Sequence, residues 1–374
     1  MKHLKIYLCM ICIFFPTISG CSSKEPTLQK YAMTATDLGF DTVVSFTAYT
    51  ESEEIYKTYE ETVKELFKHY DQLFSKYDTY PDINNIKTIN EQAGKQPVKV
   101  DKDIIDMLQI SKEYGVFSNN EFDVTMGSVL NIWHDHRELA EKDSNNTLVP
   151  TQEELEKANT YTGWNHIHID ENKQTVYIDN ANTQLDVGGV AKGYAVEKIA
   201  QKLEDMGCKH AIINGGGNIR LIGNKPEAEY WSVGIQIPDF HTVSTESLIS
   251  IKINESKSFV TSGDYQRFYT YNDQIIHHII DPTTLQPARH CRSVTVITDN
   301  SGIADILSTA LFTLSHKEGQ DLLDKLKETK GIEAGAIWVY DKTQPKEDDS
   351  DSIKVNKYDI VISESLQDDI LDKS

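Results

Sequence analysis

From residue 211 to residue 297 the chain reads as one strand after another, with turns but no helical period between them. Segments 211–214, 231–237, 248–253, a stretch near Phe268, 275–280 and 294–297 are short apolar or alternating runs rich in β-branched and aromatic residues. Helical periodicity lies outside this block. Residues 53–77 place Tyr56, Tyr59, Val63, Leu66, Phe67, Tyr70 and Phe74 on one face, and 101–114 predicts a second helix. A helix over 190–206 stops at Gly207, and one over 303–315 turns Ile306, Ala310 and Leu314 inward. Thr151 reads as the cap of a further helix. Other strands are expected at 40–49, at 166–170 and 175–178 around the turn Glu171-Asn172-Lys173, at 332–340 and at 360–362. Strands and helices are thus mixed without strict β-α-β alternation, which predicts an α+β fold in one large domain.

The N-terminus reads as an address rather than as part of that fold. Two lysines precede the apolar run 6–15, which is too short to span a bilayer and fits a secretory signal over residues 1–20. Ile18-Ser19-Gly20-Cys21 resembles the bacterial lipobox, so Cys21 is expected to carry lipid, with a polar tether over 21–30. That predicts an exported lipoprotein held to the extracytoplasmic face of a bacterial membrane, its folded domain spanning 31–374. Cys9 and Cys12 leave with the signal. Cys208 and Cys291 are far apart and in no metal-ligand spacing, so the sequence leaves open whether they pair.

The formal net charge of −21 argues against nucleic acid as a partner. Any phosphate-bearing ligand would need a metal ion, backbone N–H groups or a local lysine to approach. Three glycine-containing turns offer such a place. Asp186-Val187-Gly188-Gly189-Val190-Ala191-Lys192 joins strand to helix, where free N–H groups and Lys192 would favour an anion. Asn214-Gly215-Gly216-Gly217-Asn218 and Thr261-Ser262-Gly263-Asp264 each follow a strand. Singly these are ordinary turns; one shared phosphate-bearing ligand would explain all three.

Two further segments carry chemistry. His277 and His278 sit in an apolar strand, whose alternation lets at most one of them face a given site as a proton acceptor. Asp305 and Thr309 are i and i+4 on a helix, a carboxylate and a hydroxyl suited to Mg²⁺. Each also has a purely structural explanation.

Together with Phe122-Asp123-Val124-Thr125-Met126-Gly127 through Trp133, and with Tyr265 and Ile279 to Pro282, these segments resemble the ApbE family of FAD:protein FMN transferases over roughly residues 36–341. The resemblance implies a single ApbE-like domain, related to the T-fold, with mixed or antiparallel sheets and flanking helices. It implies FAD contacts at Phe40, Asn90, Trp133, His134, Asp135, Asp186, Lys192, Thr261 and Ile280. Mg²⁺ would be held by the Gly189 carbonyl, Asp305 and Thr309, with His278 and Asp305 as catalytic residues. FMN would pass to a Thr or Ser of an exported redox protein, releasing AMP. Water as acceptor, making a metal-dependent FAD pyrophosphatase, or a non-catalytic FAD-binding lipoprotein, are the alternatives. One position departs from the family pattern: Leu285 stands where a glycine is usual, and positive φ there would strain it. The charged stretch 342–357 reads as an inserted surface loop.

Overall fold

Strand Ser293–Thr298 has no exposed residue. Its alternate side chains enter two separate cores, Val294 and Val296 on one side and Ile297 on the other. Strand Gly335–Tyr340 divides in the same way, with Ala336 and Trp338 to one side and Ile337 and Val339 to the other. Such strands belong to a sheet covered on both faces.

The computed structural model describes residues 27–143, 147–226, 228–240 and 246–371. Its main sheet has nine strands, in the order Gln29–Ala35, Val44–Thr50, Ala211–Gly215, Asn218–Ile222, Ser258–Gly263, Ser293–Thr298, Gly335–Tyr340, Tyr358–Ile362 and Ile353–Val355. Every pairing in it is antiparallel. One face is covered by α1 (Glu53–Phe74), α6 (Ala191–Asp205) and α7 (Ser301–Phe312). The other packs on a three-stranded sheet of Ile370–Leu371, Ser247–Ile253 and Trp231–Gln236. The remaining helices are α2 (Ile86–Glu91), α3 (Lys102–Phe117), α4 (Gly127–Lys142), α5 (Gln152–Asn159) and α8 (His316–Lys330). Among the described residues, no helix is long and apolar enough to cross a membrane.

The α+β expectation holds, and several boundaries move for local reasons. The strand expected at 40–49 begins at Val44, because Gly39, Phe40 and Asp41 all have positive φ and form a tight turn instead. The strand expected at 275–280 ends at His277. Segment 342–357 is not a free loop. Asp341 and Gln344 are buried, and Ile353–Val355 forms the sheet's edge strand. Arg292 joins them to the strand turn at Asp264: its Nε donates to Asp264 (2.7 Å), its Nη1 to Asp341, and Gln344 Nε2 donates to Asp264 (3.1 Å). The expected tether also ends early, since the first strand starts at Gln29. The signal segment and Cys21 lie outside the described residues. Cys208 and Cys291 are both free thiols, buried in the fold.

Candidate active site

All three glycine segments open on one cleft of about 490 Å³, lined by Gly188 and Gly189, by Gly216, and by Gly263, which ends the strand Ser258–Gly263 rather than forming a turn after it. Its floor is the junction of α6 and α7. The Gly193 backbone approaches α7 so closely that a Cβ there would stand 2.3 Å from the Ser301 carbonyl oxygen and 2.5 Å from Asp305 Cβ. This contact lets Gly193 N–H donate to Asp305 Oδ2 (2.8 Å). Glu197, one turn further along α6, fixes the start of α7 by accepting from Ser301 N–H (2.8 Å) while pairing with Arg220 (3.2 Å). Burial raises the Asp305 pKa, and the Lys192 charge and the Gly193 N–H work against that rise. Asn218 also favours the ionised form, although its Nδ2 makes no hydrogen bond of normal geometry.

This arrangement corrects one expectation. The start of α6 was expected to present free N–H groups to a phosphate. Instead Gly193 N–H is engaged by Asp305, Ala191 N–H by the Val187 carbonyl (2.9 Å) and Gly188 N–H by Asp186 (2.9 Å). With these three N–H groups engaged, an anion in the cleft depends more on cations. Four basic side chains line it: Lys76, Arg137, Lys192 and Arg267. Seven carboxylates do so as well: Asp41, Asp71, Asp78, Glu121, Asp123, Asp186 and Asp305. A diphosphate ligand in such surroundings calls for a further cation.

The oxygen atoms available suit one. Asp305 contributes a carboxylate and Thr309 Oγ1 sits one turn on, donating to the Asp305 carbonyl (3.2 Å). Gly189 faces Thr309 closely enough that a Cβ on it would lie 3.0 Å from that hydroxyl. One carboxylate, one hydroxyl and one backbone carbonyl are hard donors that leave places for water and phosphate oxygens, the habit of Mg²⁺. No group of three or more His, Cys, Asp or Glu able to hold a metal unaided occurs among the described residues. The fit therefore depends on these mixed oxygens.

Asp186 is fixed by Lys76, whose Nζ donates to Oδ2 at 2.6 Å. Burial alone would raise the Asp186 pKa, but Lys76 and the Gly188 N–H outweigh it and hold the carboxyl below its usual range. Lys192 lines the cleft, and its ammonium donates to the Gly188 carbonyl (3.4 Å).

The strand's early end changes the account of the two histidines, because strict alternation stops at His277 and both line the cleft. His277 is structural. Its Nδ1 accepts from Ile279 N–H (3.3 Å), its Nε2 bonds the Ala288 carbonyl (2.8 Å), and its ring stands edge-on to Phe312. His278 differs: its Nδ1 is buried and has no partner. Burial first, then the charges of His277, Arg267, Arg137 and Lys192, push its pKa down to about 3. The imidazole is thus neutral at pH 7, and its burial makes it a weaker base than a free imidazole.

Of the remaining expected ligand residues, Phe40, Trp133, His134, Thr261 and Ile280 line the cleft. Phe40 is held there by its N–H donating to Asp71 (2.6 Å). His134 accepts from Arg137 through Nδ1 (2.8 Å), and burial followed by that charge lowers its pKa. Thr261 shares a hydrogen bond with Thr295 (2.8 Å). Two residues do not belong to the lining. Asp135 points outward on α4 and is exposed. Asn90 is engaged at Leu185, donating to its carbonyl (2.9 Å) and accepting from its N–H (2.8 Å), so it braces the non-strand segment before Asp186 rather than touching the cleft.

Leu285 does take φ +61°. The cost of a left-handed leucine, about 1–2 kcal/mol, is offset by burying its side chain, worth about 1.5–3 kcal/mol. It packs with Met126, Trp133, Tyr269 and Ile280. Its carbonyl accepts from the Trp133 indole N–H (2.9 Å), so the departure from glycine leaves the cleft wall in place.

Sequence reasoning missed Lys76, Arg137 and Arg267, which reach the cleft from three separate segments. No motif or spacing in the sequence links them.

A model of the ApbE family matches residues 40–334. A FAD:protein FMN transferase of Haemophilus influenzae is 28% identical over 282 residues, covering 74% of this chain and 79% of that protein. One from Treponema pallidum is 30% identical over 267 residues, covering 68% and 70%. The ApbE protein of Thermotoga maritima is structurally similar at TM-score 0.70 and 27% identity, over 83% of this chain and 94% of its own. The flavin transferase ApbE from Vibrio cholerae gives TM-score 0.70 at 21% identity over 91% and 99%, a likeness of fold. In sequence and in architecture, the chain belongs to the ApbE family.

Proposed function

We propose that this protein transfers the FMN half of FAD to a Ser or Thr hydroxyl of another exported protein and releases AMP. The observation that carries the reading is His278. A neutral imidazole with an unpartnered Nδ1 faces the same cleft as Asp305, Thr309, Gly189 and the three glycine turns. His278 accepts the proton of the incoming hydroxyl, and the turns let the dinucleotide lie against bare main chain. Lys192 and Arg137 face the diphosphate. Mg²⁺ held by Asp305, Thr309 and the Gly189 carbonyl would neutralise diphosphate charge. Asp186 with Lys76, and Trp133 with Leu285, keep the walls rigid.

The signal segment and the lipobox-like Ile18-Ser19-Gly20-Cys21 support export and a lipid anchor on Cys21, which would place the acceptor on the extracytoplasmic side. The test incubates protein, FAD, Mg²⁺ and a candidate acceptor domain. It then looks for fluorescent flavin that stays on the denatured acceptor and for AMP in the supernatant. Flavin on the acceptor with equimolar AMP is expected. FMN and AMP appearing in solution with an unmodified acceptor would mean that water is the acceptor and the reading is wrong. Cys21→Ala is expected to release the mature protein from membranes, and unchanged membrane association would remove the anchor.

A further inference from the structure

Arg267 differs from every other cation of the cleft. Lys76 is paired with Asp186, Arg137 with His134 and Glu141, and Lys192 rests on the Gly188 carbonyl. The Arg267 guanidinium makes no hydrogen bond or ion pair among the described residues, although the chain carries 58 acidic side chains and a net charge of −21. Its backbone, by contrast, is fixed. Phe268 pairs with His277 across the antiparallel strands, and the next step of that ladder is the hydrogen bond from His278 N–H to the Arg267 carbonyl (3.2 Å). That bond holds Arg267 and His278 opposite one another just beyond the strand's last residue, and both line the cleft.

We propose that Arg267 is a further catalytic residue, one whose guanidinium grips the phosphoryl group during transfer. This rests on the transfer reading above and adds a residue to it. As the hydroxyl oxygen of the acceptor bonds to the FMN-side phosphorus, its O–H bond breaks and the proton goes to His278. The bond from that phosphorus to the bridging oxygen breaks, and its electron pair leaves with AMP. Negative charge gathers meanwhile on the phosphoryl oxygens, beside the base and hence within reach of the side chain that shares its ladder rung. A planar guanidinium matches two of those oxygens at once and gives up no proton. An unpaired arginine needs to break no ion pair in the protein before it binds them.

The experiment compares wild type, Arg267→Lys and Arg267→Ala with FAD, Mg²⁺ and an acceptor domain. FAD affinity is read separately by flavin fluorescence. Arg267 is exposed, so the variants are expected to fold, which thermal melting checks. For Arg267→Ala, kcat is expected to fall about 100-fold. Arg267→Lys should fall between the two, with FAD affinity and acceptor KM within about threefold of wild type in both variants. An unchanged kcat, or a loss confined to acceptor KM or to FAD affinity, would overturn the proposal. A wild-type protein that binds FAD yet attaches none to the acceptor would overturn the transfer reading and this inference with it. An active wild type matched by an equally active Arg267→Ala overturns this inference alone.

Discussion

The floor and the rim of the cleft are built on opposite rules. At the α6–α7 junction Gly193 is matched with Asp305, and Glu197 with Ser301 N–H and Arg220, while beside it Asp186 is paired with Lys76. At the rim, between residues 266 and 286, two polar groups have no partner among the described residues, the Arg267 guanidinium and the buried Nδ1 of His278, and Leu285 is held in a left-handed conformation. Satisfied buried polar groups fix geometry, whereas unsatisfied ones mark where a ligand completes the set. The floor holds its shape and the rim awaits its substrate.

That contrast can be broken most directly at the floor. Asp305→Ala is expected to lower flavin transfer about 1000-fold while the circular dichroism spectrum stays native. Transfer at more than a tenth of the wild-type rate, or near-full activity in excess chelator, would show that this carboxylate does not hold a cation. Gly193→Ala tests the close approach itself. The added methyl must displace the Ser301 carbonyl or Asp305, so a loss of about 1–3 kcal/mol is expected, together with a loss of activity. A variant with unchanged Tm and rate would mean that α6 and α7 have room to spare.

The rim should respond differently. Leu285→Gly relieves about 1–2 kcal/mol of backbone strain but removes a buried side chain, for a net loss of about 1–3 kcal/mol. Activity should stay within about threefold, because the carbonyl that fixes Trp133 remains. A collapse in rate at unchanged stability would show that the side chain shapes the site.

The smallest effect is graded with pH. His277 has its folded pKa pushed from 6.5 to about 3 by burial, so the unfolded chain binds its proton first as pH falls. Its contribution to stability is whole above about pH 6.5 and declines toward pH 3. Asp264, raised by burial to about 6, works against this decline as pH falls through 6 toward 4. In His277→Gln, the slope of Tm against pH below 6.5 should be shallower than in wild type. An equal slope would place the acid sensitivity elsewhere.

What the sequence disclosed was what is local. Thr151 caps α5 through a capping box with Glu154, and Gly207 follows α6 with φ +92°, both as their residue types dictate. The helix α8 carries the same kind of signal, a Ser315–Glu318 capping box and a left-handed Gly331, yet the sequence reading passed over it. Helix α4 offers less, with no side-chain cap at Met126. The glycine turns, Asp305 and Thr309 were legible because each has a short motif. Asn90 was placed by resemblance in the site and turned out to brace it, since nothing in its own segment shows that Leu185 lies beside it. Lys76, Arg137 and Arg267 were invisible for the same reason: a charge cluster assembled across 191 positions has no spacing to recognise.

The strand Gly335–Tyr340 and the Asp341–Gln344 corner come after the family match ends at residue 334, yet they clasp Arg292 and, through it, the turn that closes one wall of the cleft. A polypeptide emerging from its N-terminus first would thus thread past every ligand-facing segment before the final keystone arrives. Until those residues arrive, Arg292 lacks Asp341 and Asp264 lacks Gln344, and of these three contacts only the Asp264–Arg292 pair can form.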